Sequence, residues 1–162
     1  MVKVKLYPDK VYALLSEIPD PEIPVLTIKD LGILRKVRME KGEYIITITP
    51  TYTACPAMAM ISDQIKKILA ERGINNVKVE LTYTPAWTTD WLSSSAKLKL
   101  KKYGIAPPSR TSCNKLSTTE LATCPRCNSE RTSLISRFGS TACKAFYICE
   151  DCRETFDLFK CH

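Results

Sequence analysis

The chain has 162 residues, a formal net charge of +7, and eight cysteines against a single histidine. That length suits one ordinary domain, or a small domain joined to a smaller metal-stabilised one. It opens with no charged and apolar leader and has no apolar run of membrane-spanning length, so a soluble, cytoplasmic protein is expected. In a reducing compartment, eight cysteines favour metal ligation or thiol chemistry over structural disulfides.

In chain order, residues 6–18 read as a short amphipathic helix, with Val11, Leu14, Leu15 and Ile18 at helical spacing and Pro19 as its stop. In Asp20-Pro21-Glu22-Ile23-Pro24 two prolines forbid helix, which predicts that Asp20 and Glu22 are held out on a rigid, extended segment. Residues 31–50 read as a β-hairpin: Ile33, Val37 and Met39 lie on the first strand, Lys41-Gly42 makes the turn, and residues 44–49 form a β-branched second strand.

A helix is expected from Pro56 to Arg72, burying Met60, Ile61, Ile65, Ile68 and Leu69 and stopped by Gly73. Residues 76–84 read as a third strand with Val77, Val79 and Leu81 on one face, and residues 93–103 as a basic helix. Trp87 and Trp91 between them fit packing under that last helix, or a partner surface. The element order is therefore α-β-β-α-β-α. The fold class is α+β, a small mostly antiparallel sheet with helices, followed by a four-cysteine zinc-ribbon-like module. Composition places the first domain at 1–104, a linker at 105–120 and the ribbon at 121–162.

The ribbon rests on two Cys-x-x-Cys pairs, Cys124-Pro125-Arg126-Cys127 and Cys149-Glu150-Asp151-Cys152. Thiols two residues apart let one turn present both sulfurs to an ion, and two such turns complete a tetrahedral site for zinc or iron. Residues 133–136 and 145–148 are expected to pair across Phe138-Gly139-Ser140. Asn128 supplies a residue tolerant of the left-handed backbone that a knuckle often needs.

The other cysteines divide by setting. Cys55 precedes Pro56, a favoured first helical residue, so the helix terminus is expected to stabilise its thiolate; burial beneath Tyr52 is the competing expectation. Cys143 fits a buried thiol under the ribbon turn, against a redox or cluster-ligand role. Cys113 lies in the polar linker, and Cys161 with His162 forms an adjacent pair at the terminus, where fraying competes with metal binding. With the only histidine at the last position, Cys–His hydrolase chemistry is disfavoured. Nucleic-acid binding is disfavoured too: residues 111–162 hold 7 basic and 6 acidic groups, so the ribbon is nearly neutral.

The segments Asp20-Pro21-Glu22-Ile23-Pro24, Leu31-Gly32-Ile33 and Thr49-Pro50-Thr51-Tyr52-Thr53-Ala54-Cys55-Pro56-Ala57 resemble the signatures of the small iron–sulfur assembly family. The resemblance implies that Cys55 handles iron or a transient Fe–S cluster, with Asp20 and Glu22 beside it. It departs at Ala54, where glycine is common. The run 136–145, bracketed by the two cysteine pairs and ended by Phe156-Asp157-Leu158-Phe159-Lys160, resembles the D-subunit family of bacterial phenylacetyl-CoA epoxidases across nearly the whole chain.

That second resemblance implies a non-catalytic accessory factor of aerobic phenylacetate catabolism, acting in metal-centre maturation. Its partners would be the epoxidase components and other iron–sulfur assembly proteins, with self-association left open and no membrane involved. Two other classes stand beside it: a zinc-ribbon nucleic-acid-binding protein, and a thiol oxidoreductase using one Cys-x-x-Cys as a redox pair.

Overall fold

The computed structural model describes residues 6–108 and 122–161. They fall into two compact units, Met1–Trp87 and Thr88–His162. In the first, helix α1 spans Pro8–Leu15, with proline in its first turn and Val11 and Leu15 fully buried. It ends sooner than periodicity predicts. Ser16 Oγ donates to the Tyr12 carbonyl at 2.7 Å, and the next N–H groups, of Glu17 and Ile18, bond only three residues back, which tightens the last turn.

The stretch after it is a turn rather than an extended display. Asp20 is buried, and its Oδ1 accepts from the backbone N–H groups of Glu22 (3.0 Å) and Ile23 (2.8 Å). Its own N–H donates to the Leu26 carbonyl at 2.8 Å. A short carboxylate bonding to N–H groups two and three residues on substitutes for backbone pairing that the prolines forbid. Ile23, Leu26, Ile28, Leu31 and Ile33 all point into the core, so this irregular segment supplies as much apolar packing as a helix would.

Strands β1 (Leu34–Glu40) and β2 (Glu43–Ile48) form the expected hairpin. Lys41 and Gly42 both have positive φ, 49° and 83°, the twist that suits a two-residue connection. Helix α2 (Ala57–Ala70) then crosses over, so that β3 (Val77–Leu81) pairs with β2 in parallel, Tyr44 opposite Val77 and Ile48 opposite Leu81. The sheet order is β1-β2-β3.

On α2 the buried stripe is Ala57, Met58, Ile61, Ile65 and Leu69. Met60 was expected in it but is exposed, because it lies about 100° around the helix from Ile61. Leu81, expected on one face with Val77 and Val79, is likewise exposed. Trp87 is buried within this unit, its Nε1–H donating to the Leu31 carbonyl at 2.6 Å.

The second unit opens with a single tight turn at Thr89–Trp91 and helix α3 (Ser94–Tyr103). Ser93 Oγ caps α3 by accepting from the Ala96 N–H at 3.1 Å, and Gly104, at φ 93°, ends it. Ile105–Ala106 then form strand β4, which pairs in parallel with β7 (Thr155–Phe159). The linker expected from residue 105 is thus corrected at its start: Gly104 turns the chain directly into the ribbon sheet, where Ile105 and Ala106 are buried, and α3 belongs with the ribbon unit.

Strands β5 (Thr132–Ser136) and β6 (Lys144–Cys149) match the predicted pair, and the sheet order is β4-β7-β6-β5. Strand β7 was not anticipated. Its Phe156 stacks on Tyr147 of β6, ring centroids 6.0 Å apart, within a small core that also holds Ala106, Ala122, Ala145, Leu158 and the sulfurs of Cys124 and Cys149.

The Trp87–Leu31 bond ties the end of the first unit to the loop before β1. Trp87→Phe leaves the Leu31 carbonyl buried without this donor and should destabilise the first unit by about 1–3 kcal/mol. Far-UV circular dichroism during guanidinium unfolding should show an earlier transition, with the ribbon metal retained.

Candidate functional site

Two sulfur sites lie in different units. In the ribbon, Cys124 and Cys127 come from the knuckle before β5, Cys149 and Cys152 from the knuckle after β6. The four Sγ atoms lie within 4.8 Å of one another, with Cys124–Cys152 at 3.7 Å and Cys127–Cys149 at 3.5 Å. A tetrahedral ion with bonds of about 2.3 Å places its sulfur ligands roughly 3.8 Å apart. The spacing therefore fits one zinc or iron ion with four thiolates, and the chain carries a four-cysteine metal-binding site.

The two knuckles share one backbone plan. In the first, the Cys124 N–H donates to the Ser129 carbonyl (2.9 Å) and the Asn128 N–H to the Cys124 carbonyl (3.0 Å). In the second, the Cys149 N–H donates to the Glu154 carbonyl (2.9 Å) and the Arg153 N–H to the Cys149 carbonyl (3.0 Å). Each turn closes on a left-handed residue directly after the second cysteine, Asn128 at φ 63° and Arg153 at φ 62°. Asn128 was predicted to do this. Arg153 was not, because arginine carries no local preference for that region; only its matching place after Cys-x-x-Cys signals it.

Protonation inside the cluster is uneven. The backbone N–H of Cys152 is the largest influence on Cys149 and holds its thiol below the ordinary value. The Glu154 N–H favours the Cys152 thiolate, yet desolvation and the three neighbouring thiols prevail and push it up to about 12. A divalent ion reverses this, since its charge offsets the anions and each ligand must lose its proton to bind.

Cys55 presents a different environment. It sits in the turn joining β2 to α2, its N–H donating to the Tyr52 carbonyl at 3.1 Å, and it is a free, half-buried thiol. Helix α2 begins at Ala57 with Pro56 as its cap, so Cys55 stands just outside the helix. Ala54 has no positive φ, so alanine meets the backbone requirement there without strain.

The expected stabilisation of the Cys55 thiolate is corrected. Burial pushes its thiol above the ordinary value, and the carboxylates of Glu22 and Asp20 push the same way. The Ala57 N–H and the Thr51 side chain act in the opposite sense without prevailing. Sequence reasoning placed the two carboxylates beside Cys55 by resemblance; it missed buried Thr51 and the direction of the net effect.

The remaining cysteines fall outside both sites. Cys143 is buried, with Thr141 Oγ1 3.0 Å from its sulfur. Cys161 is disulfide-bonded, so its sulfur is not a free metal ligand. Cys113 and His162 lie outside the described residues. Trp91 is half-buried. Among the described residues, no helix is long and apolar enough to cross a membrane.

Comparison with known proteins matches each half separately. Residues 8–81 match the family described as iron-sulfur cluster assembly protein, and residues 108–160 the PaaD zinc beta ribbon domain. The chain is 51% identical over 152 residues to the putative D subunit of the 1,2-phenylacetyl-CoA epoxidase of Escherichia coli (strain K12), covering 94% of this chain and 92% of that protein. It is 35% identical to the Fe-S protein maturation auxiliary factor of Porphyromonas gingivalis, over 57% of this chain and 89% of that one. Among solved structures it resembles a DUF59 domain from Bacillus anthracis, with 30% identity, a TM-score of 0.52, and coverage of 57% of this chain and 90% of that one.

Two outcomes follow from these environments. At pH 7.5 Cys55 should react with iodoacetamide more slowly than a model thiol, and its rate should keep climbing beyond pH 9.0, the ordinary thiol value. Because a raised pKa leaves less thiolate at neutral pH, Glu22→Gln should accelerate the reaction by roughly two- to fivefold. In the ribbon, Cys152→Ser should abolish tight metal retention. Structural metal contributes roughly 10 kcal/mol or more, whereas burial in so small a module yields about 3–5 kcal/mol. Amide signals of β5 to β7 should therefore collapse while those of the first unit persist.

Proposed function

Because the chain belongs to the D-subunit family of phenylacetyl-CoA epoxidases, we propose that it is a non-catalytic accessory factor assisting iron or Fe–S cluster assembly of a multicomponent phenylacetyl-CoA epoxidase. The observation that carries this reading is Cys55. A free thiol, partly open to solvent, feels the charges of two carboxylates, Glu22 and Asp20, in a unit that matches the iron-sulfur cluster assembly family.

Thiolate and carboxylate together form a mixed soft and hard donor set, suited to iron. A thiol whose carboxylate neighbours favour the proton is guarded against electrophiles while empty. An arriving cation displaces that proton, and Asp20 and Glu22, which opposed the thiolate, then stabilise the cation. On this reading the iron or cluster is cargo. The ribbon ion, for which the PaaD zinc ribbon match favours zinc, is a fixed structural element. Convergence of all four ribbon thiols on one point argues against a pair that cycles as a dithiol, since ligated thiolates are withheld from exchange.

The partners on this reading are the epoxidase components, and the site of action is the cytoplasm. The test is Cys55→Ala, which removes the soft ligand and little volume. Fold and ribbon metal should be unchanged, while cells carrying the variant should make epoxidase components that are metal-poor and fail to grow on phenylacetate. A fully metallated, active epoxidase in those cells would show that Cys55 carries no cargo.

A further inference from the structure

The hairpin tip between β5 and β6 holds an aromatic ring out to solvent. Phe138 is 69% exposed, and Ile135 on the preceding strand is 51% exposed. Apolar side chains at a loop tip are normally free to fold down, but here the backbone beneath is fixed on several sides. The Phe138 N–H donates to Ser136 Oγ (3.1 Å) and the Gly139 N–H to the Lys144 carbonyl (2.8 Å).

Ser140 Oγ donates to Asp157 Oδ2 at 2.6 Å, and the Ser140 N–H reaches Asp157 Oδ1 at 3.3 Å. Lys144, a buried lysine, donates from Nζ to Ser140 Oγ at 2.9 Å. A Cβ at Gly139 would meet Asp157 Oδ1, so any larger residue there would displace the Asp157 carboxylate. Lys160 Nζ donates to the Arg137 carbonyl (3.2 Å) and sits 4.9 Å from the centre of the Phe138 ring.

A buried lysine, an anchored aspartate and a glycine packed against that aspartate thus support one exposed ring. None of this is needed for the four-thiol site, whose ligands lie at the opposite ends of β5 and β6. An anchor ordered before binding loses little conformational entropy on docking, and aromatic residues are enriched in interface cores. The charge around the ring selects what it fits. Arg137, the preceding residue, is exposed and Lys160 lies against the ring, while the Asp157 carboxylate is engaged by Ser140.

Resting on the accessory role above, we propose that Phe138, flanked by Arg137 and Lys160, is a docking knob received by an apolar pocket with a carboxylate rim on the epoxidase component this chain serves. The apolar ring supplies residence time. The two cations supply orientation and a salt-sensitive association rate.

The test is biolayer interferometry of the full-length, metal-loaded chain against each purified epoxidase component of the same organism. Phe138→Ser, which removes the exposed ring and its contact with Lys160, should leave ribbon metal content intact and weaken binding at least tenfold, mainly through faster dissociation. Arg137→Glu should slow association several-fold at low salt and make little difference at high salt. Gly139→Ala, which displaces Asp157 and tilts the tip, should also lose binding while Phe138 is still present.

If Phe138→Ser binds as the unmodified chain does, the knob is wrong and the accessory role stands. If the unmodified chain binds no component, the accessory role falls and the knob with it. If Phe138→Ser instead changes the elution volume of the free chain, the tip is a contact between copies of this chain and the proposal is overturned.

Discussion

Four thiols cannot share a volume a few ångströms across and all be anions unless a cation lies among them, and the second unit is arranged around that constraint. The tilt is visible in the thiols themselves, with Cys149 held below its ordinary value and Cys152 pushed up to about 12. A ribbon without its ion therefore keeps protons on sulfurs that must be ligands, so uptake of metal and loss of protons are one event. The small apolar core supports this arrangement rather than replacing it. Cys124 and Cys149 are themselves members of it, packed with Tyr147, Phe156 and Leu158, so removing the ion disturbs the core directly.

Cys55 obeys the opposite logic. One thiol placed near two carboxylates is easily kept protonated, and burial reinforces this. Four soft ligands would bind an ion in the ribbon and resist releasing it; on the reading proposed above, Cys55 would offer one soft ligand and charges that respond to a cation's arrival. Retention needs many matched donors, whereas delivery needs few. The contrast in donor number is the strongest physical reason to assign the two sulfur sites different roles.

Much of the fold was legible because hydrophobic period and turn chemistry agreed. The hairpin needed Lys41-Gly42, and both residues adopt positive φ; α2 needed an apolar stripe and a glycine stop, and has both. Where the reading failed, distant atoms decided. Pro21 and Pro24 suggested an extended segment, but Asp20 turns inward because two N–H groups lie within its reach. The parallel pairing of β2 with β3 depends on where α2 packs, which the period of neither strand encodes. Strand β7 is short and follows a knuckle at once, and its identity comes from its two neighbours, β4 and β6. At the sites, the ribbon ligands were plain from spacing, while the protonation of Cys55 depended on burial that no local pattern states.

The donor count also bears on how cargo would be handled. Iron–sulfur clusters are ordinarily held by four cysteine ligands. Cys55 supplies one, four other described cysteines are the ribbon ligands, and Cys143 is buried. A cluster or iron ion at Cys55 would therefore be completed by groups from elsewhere: a second protein, a small thiol, or the receiving site itself. Completion by the receiver favours transfer, because each ligand gained there strengthens the competing site while Cys55 remains a single bond to be broken. A docking contact whose own residues are not metal ligands, as proposed at Phe138, would then have a clear use. It would bring donor and receiver together long enough for ligand exchange without adding ligands that hold the cargo back.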